Sequence, residues 1–167
     1  RVWGRIRNML LLAGTKQRKS IVDKVSEVRN WIKELTVKRE ELGGFSICPY
    51  AFSASVHIEE RALSKVTLNE GFDVVVFIVE DDISVASMLQ KIAELNMIYR
   101  DYIWLDDHKK ETTYINGVQS NFGKANLILC QKRNKLLQAR ETLHKTDYYK
   151  YWSEELYNRI VKGIGTP

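Results

Sequence analysis

Near the middle of the chain stands Phe72-Asp-Val-Val-Val-Phe-Ile-Val-Glu80. It is the most apolar run in the chain, and nearly every residue is β-branched or aromatic. Such residues favour a pleated strand over a helix. The run is too short to cross a membrane. Only Asp73 interrupts it before Glu80. A half-exposed strand alternates polar and apolar residues, and this one does not. Both its faces should therefore be covered. The expectation is a central strand with helices packed over it.

On the C-terminal side, Asp81-Asp82 suits a helix start, where carboxylates meet the positive end of the dipole. Val85, Met88, Leu89, Ile92 and Leu95 then recur at helical spacing. Tyr102–Leu105 reads as a short strand, and Asp106–Lys110 as a polar loop. Asn116-Gly117 between β-formers is the favoured type I′ hairpin turn. Ala125–Gln131 reads as another buried strand. A helix from Arg133 carries Leu136, Leu137, Arg140 and Leu143 on adjoining faces. Asp147 heads a last segment, in which Tyr149, Trp152, Leu156 and Ile160 keep helical spacing.

On the N-terminal side, Val66-Thr67-Leu68 and the Asn69-Glu70-Gly71 turn suggest a hairpin from Lys65 to Glu80. Phe45–Phe52 is a partly apolar loop, in which Pro49 biases Cys48 towards an extended conformation. Before it, Ile21, Val25, Val28, Ile32 and Leu35 form one apolar stripe of a helix. Ser20 serves as its expected N-cap, and Gly43-Gly44 as its end.

Helices separated by strand pairs indicate an α+β fold: an antiparallel or mixed sheet with helices packed on it. Without its last helices, the order is a circular permutation of the ferredoxin-like sandwich. Residues 1–19 form a basic N-terminal appendage, and residues 20–167 a single α+β domain, with no Pro/Gly/Ser-rich linker between halves.

Composition narrows the class. A hydrophobic fraction of 44% with 28% charged residues is that of a globular protein and excludes disorder throughout. The net charge of +5, from 26 basic and 21 acidic residues, permits an anionic partner without demanding one. Cys48 and Cys130 are too few for a disulfide scaffold, so both are taken as reduced in a cytoplasmic protein. The apolar run Met9–Ala13 falls short of the roughly 7–15 residues that a signal peptide needs. No membrane association is expected.

Cys48-Pro49-Tyr50-Ala51 is the one segment that draws a chemical hypothesis. A catalytic cysteine needs thiolate character from a cationic neighbour, a helix N-terminus or a metal. His57, nine residues on, is the candidate partner. The plainer reading makes Cys48 a small buried hydrophobe between Ile47 and Pro49, and that reading is preferred.

Trp31-Ile32 followed by Ile47-Cys48-Pro49-Tyr50-Ala51 resembles a family of uncharacterised bacterial proteins, which carry a Trp-Leu pair on a helix and then a Cys-Pro-Phe-Ala segment. The family's later His-Pro segments have no counterpart here. The second half, with Asn116-Gly117-Val118-Gln119 and Asn126–Gln131, is similar to small uncharacterised proteins of tailed phages. Neither resemblance implies a site.

Other constellations are thinner. The histidines lack His-x₃-His spacing, and there is no Cys-x-x-Cys. Asp106, Asp107 and His108 read better as a solvated turn than as metal ligands. Asn121-Phe-Gly-Lys124 lacks the spacing of a phosphate loop. No metal and no cofactor are expected. A nucleic-acid reading rests on strand aromatics, Tyr102, Trp104 and Tyr114, beside Lys109, Lys110 and Lys124. It is an alternative and not the preferred one. The aromatic cluster Tyr148–Trp152, with Tyr149 and Trp152 as candidate contacts, either closes the core or meets a protein partner. The expected class is a non-catalytic binding or interaction protein. The alternatives are a thiol-dependent enzyme using Cys48, and RNA or single-stranded DNA binding through the sheet face.

Overall fold

The computed structural model describes residues 2–58, 71–80 and 82–163. The Phe72–Glu80 run becomes strand β2 (Val74–Val79), and all six of its residues are buried. Strand β1 (Ala54–Ile58) pairs parallel with one edge of it, and β6 (Asn126–Lys132) pairs antiparallel with the other. Beyond β6 lies β3 (Tyr102–Asp107), which gives a mixed four-stranded sheet in the order β1-β2-β6-β3. A separate hairpin joins β4 (Tyr114–Ile115) to β5 (Val118–Gln119). The helices are α1 (Val2–Leu35), α2 (Val85–Ile98), α3 (Arg133–His144) and the short α4 (Glu154–Tyr157). The fold is α+β.

The period of two along β2 sorts the core into two layers. Val75, Phe77 and Val79 face Met88, Ile92 and Leu95 of α2, with Trp104, Ile128 and Cys130 beside them. Val74, Val76 and Ile78 face the other way, onto Val28 and Ile32 of α1. Each buried aliphatic side chain contributes about 1.5–3 kcal/mol. The absence of polar alternation in the sequence thus has a direct cause: helices cover both faces.

The expected apolar stripe holds at Val28, Ile32 and Leu35, which are buried. Its ends differ from expectation. The helix does not begin at Ser20, because α1 runs unbroken from Val2. It ends at Leu35, ahead of the glycines. There the Cys48 N–H donates to the Leu35 carbonyl at 2.8 Å and satisfies one of the helix's orphan C-terminal acceptors. Gly43 instead ends a 3₁₀ turn, Glu40–Leu42, at φ 64°. A Cβ there would lie 2.7 Å from the Tyr151 hydroxyl, so glycine lets the C-terminal segment approach. Helix α2 is capped by Ser84, whose hydroxyl accepts from the Ser87 N–H at 3.1 Å. The expected start at Asp82 is therefore too early, and Asp81 lies outside the described residues. Likewise Ser153, not Asp147, caps α4 through the Leu156 N–H. The Asn116-Gly117 turn is as expected, with positive φ at both residues.

The Lys65–Glu80 hairpin is not supported at β2, because β1 and β6 occupy both of its edges. Its other arm, Val66–Leu68, lies outside the described residues. The strand order is the one that a permuted ferredoxin-like sandwich requires, but two features depart from that sandwich. Strand β1 runs parallel to β2 where the sandwich is antiparallel. The helices also occupy both faces instead of one. Strands β2 and β3, each antiparallel to β6, run the same way with β6 between them. Helix α2 makes the crossover. The free edge of β3 is closed by Asn96, which accepts from the Trp104 N–H and donates to the Trp104 carbonyl, both at 3.0 Å.

Val76 is fully buried at the centre of this arrangement. Val76→Asp should abolish cooperative folding, because an unpaired buried carboxylate costs several kcal/mol out of about 5–15. Circular dichroism during urea titration checks this. A soluble variant with a sigmoidal unfolding transition would contradict the assignment.

Candidate functional site

The face of the sheet that carries Leu105 and Leu129 is not filled evenly. Helix α1 covers the β1–β2 side, while α3 and the C-terminal segment cover the β6–β3 side. Between them lies a cavity of about 200 Å³. Leu105 and Leu129 form its floor, and Trp31 and Leu35 of α1 stand on one side. Leu136, Ala139 and Leu143 of α3 stand on another, and Tyr149, Trp152 and Leu156 close it from the C-terminal segment. The wall is mostly apolar. A cavity of roughly 150 Å³ with apolar walls already accepts benzene.

The polar residues of this wall include both donors and acceptors, among them Arg140, Asn121, Asp107 and Glu111. Arg140 is 7% exposed. One of its terminal nitrogens, Nη2, donates to the Ile160 carbonyl at 2.9 Å. The other, Nη1, is buried and finds no acceptor among the described residues. Burial depresses the guanidinium's affinity for its proton, opposed chiefly by Tyr149. Asn121 accepts from the Thr113 N–H through Oδ1 at 3.1 Å, but its Nδ2 is buried and unmatched. The Trp31 indole Nε1–H is also buried without an acceptor among the described residues. All three side chains line the same cavity.

Asp107 is a buried carboxylate in the same wall. Its two oxygens accept from the Phe122 N–H at 3.2 and 3.0 Å. Burial is the largest influence and pushes its carboxyl up to about 7; the Phe122 hydrogen bond pulls it back, and Asp106 pushes it further. His108 is buried beside it. Its Nδ1 accepts from the Lys110 N–H at 3.2 Å, so Nε2–H donates to the Ile83 carbonyl at 2.8 Å. With both ring nitrogens used by the backbone, His108 is a strut. Among the described residues, no three His, Cys, Asp or Glu side chains group to hold a metal ion.

The residues singled out from sequence are dispersed. Cys48 lines the cavity, but its surroundings push the thiol up to about 11, chiefly by desolvation. His57 lies on the other face of the sheet: it is in register with Phe77, and its ring lies tilted at 5.9 Å from that ring. Its imidazole bonds the Ser55 hydroxyl. Burial, then the charge of Arg29, lowers its pKa. The Cys48–His57 pair is thus not assembled, because alternate sides of β1 and β2 serve different layers. Trp104 is 2% exposed in the core and offers no face for base stacking. Its strand aromatic spacing was packing. Lys109 pairs with Asp82 at 3.4 Å, and Lys110 is exposed on the loop. Tyr149 and Trp152 do belong to the site, as part of its wall. Cys130 is buried on the α2 side, pushed up to about 12 by desolvation.

Sequence reasoning missed Arg140, Asn121 and Asp107. For Arg140 a signal existed: it follows Leu136 by four and precedes Leu143 by three, so it sits within the apolar stripe of α3. For Asn121 and Asp107 the surrounding turn residues hid their burial. In comparisons with family models, with curated proteins and with solved structures, nothing matches this chain.

The raised Asp107 pKa fixes a pH dependence. The folded state holds this proton more tightly than the unfolded chain, whose carboxyl has an ordinary value of 3.8. That contribution is complete below about pH 4 and is lost as pH rises through about 7. Asp107→Asn keeps an oxygen to accept from Phe122. The stability of the wild type relative to this variant should fall between pH 4 and 7, by up to about 1.4 kcal/mol per pH unit, and level off above. Denaturant titrations across that range read it. A difference that does not change with pH would contradict the assignment.

Proposed function

We propose that this chain is a non-catalytic binding protein that holds a small, largely apolar molecule in the cavity between α1, α3 and the C-terminal aromatic segment. One observation carries the reading: among the described residues, three side chains that each hold a buried, unmatched N–H donor (Trp31, Asn121 and Arg140) line a single, largely apolar cavity. Buried donors are costly when unmatched, so their concentration in one place is informative. A concave, apolar site with a few placed polar groups is the ordinary form of a ligand pocket.

Two other readings lose support. Thiol catalysis at Cys48 needs a thiolate, and its desolvated thiol and distant His57 oppose one. Binding of RNA or single-stranded DNA through the sheet needs an open face, and helices cover both. In this proposal Tyr149 and Trp152 serve the ligand wall. Edge-to-face contacts between Tyr149 and Trp152 at 5.4 Å, and between Tyr148 and Tyr149 at 4.8 Å, favour closure over a protein-docking face. No helix among the described residues is long and apolar enough to cross a membrane. The cytoplasmic placement is proposed alongside, supported by the two free cysteines on opposite layers of the sheet.

The test is a thermal-shift screen of small apolar fragments, neutral and charged, against the wild type and Ala139→Phe. A fragment present at a hundred times its Kd should add about 2.7 kcal/mol of stability. Ala139→Phe fills the cavity and should remove the shift while leaving the fold intact. Shifts of equal size in both proteins would place binding elsewhere, and the absence of any shift in the wild type would refute the proposal.

A further inference from the structure

We infer that the ligand of this cavity carries an anionic, carboxylate-type head on a compact apolar body, and that Arg140 Nη1 receives the head. This rests on the ligand-binding reading above and specifies its chemistry. Among the described residues no ion pair includes Arg140, although the side chain is 7% exposed. Among the described residues its one hydrogen-bond acceptor is the neutral Ile160 carbonyl. A buried guanidinium answered only by a carbonyl is expensive, and an anion would relieve that cost. Guanidinium also presents its N–H groups in a fork suited to a carboxylate.

The rest of the wall agrees. Asn121 Nδ2 and Trp31 Nε1 are unmatched donors, so the remaining polar demand is for acceptors. The other charged groups lining the cavity do not answer Arg140. Glu111 pairs with Arg159 at 3.8 Å. Asp107 gives both oxygens to the Phe122 N–H, and burial keeps it partly protonated at neutral pH. Asp106 acts on Asp107. The volume, about 200 Å³, limits the body to a short chain or a single ring.

Calorimetry with hexanoate and with hexan-1-ol, which share an apolar chain, separates the two levels of the argument. For the wild type, hexanoate should bind at least tenfold more tightly than hexan-1-ol. Arg140→Met should erase that preference while hexan-1-ol still binds within about twofold of its wild-type affinity. Arg140→Lys should restore part of it. Should Arg140→Met fail to fold, the wild-type comparison of hexanoate with methyl hexanoate gives the same discrimination. Equal affinity for the acid and the alcohol would overturn the anionic head and leave the cavity reading in place. Failure of both ligands to bind, together with a negative fragment screen, would overturn the cavity reading itself.

Discussion

Burial of β2 on both faces is the constraint on which the rest of the structure depends. A strand with every residue buried needs a hydrogen-bonded neighbour at each edge and an apolar layer on each side. Strands β1 and β6 supply the edges. Helices α1 and α2 supply the layers. The sheet is mixed. A parallel β1–β2 pair needs a long crossover, whereas the β4–β5 hairpin lies within the link that returns the chain antiparallel as β6.

The two layers are built differently, and the cavity is a consequence. On one side a single helix, α2, contributes Met88, Ile92 and Leu95 to a continuous cluster. On the other side the cover is assembled from distant parts: the end of α1, the Cys48 loop, α3 and the C-terminal segment. They are joined by specific polar ties. Cys48 N–H donates to the Leu35 carbonyl, the Tyr148 hydroxyl donates to the Ile47 carbonyl, and Asn116 donates to the Glu41 carbonyl. Pieces positioned by such ties need not fill the space between them. Cys48 thereby acquires a structural role, because its N–H caps α1 and its thiol lies in the wall.

The legibility of the sequence divides along the same line. Regular elements announced themselves locally: Val74–Val79 through an unbroken apolar run, Met88–Leu95 through helical spacing, and Asn116-Gly117 through its turn chemistry. Boundaries were harder to read, because Ser20 and Asp82 look like caps and are not used as such, while Ser84 is. Strand β1 itself was not readable: Ala54–Leu68 is ambiguous in sequence, and the short strand expected there was Val66–Leu68, not Ala54–Ile58. The site was least legible. It joins Trp31, Asn121 and Arg140, which are far apart in the chain, and only the position of Arg140 in an apolar stripe hinted at burial. Cys48 and His57, close in sequence, fall on opposite layers.

The central claim is that the unmatched donors of this cavity serve a ligand, and the tryptophan indoles give the most direct measurement of it. Trp31 Nε1 and Trp104 Nε1 are both buried without an acceptor among the described residues, but Trp104 lies in the opposite layer of the sheet. In ¹H–¹⁵N correlation spectra recorded during a hexanoate titration, the Trp31 indole signal should move saturably, and the Trp104 signal should stay in place. Movement of both signals together, or a stationary Trp31 signal while calorimetry shows saturation, would contradict the account.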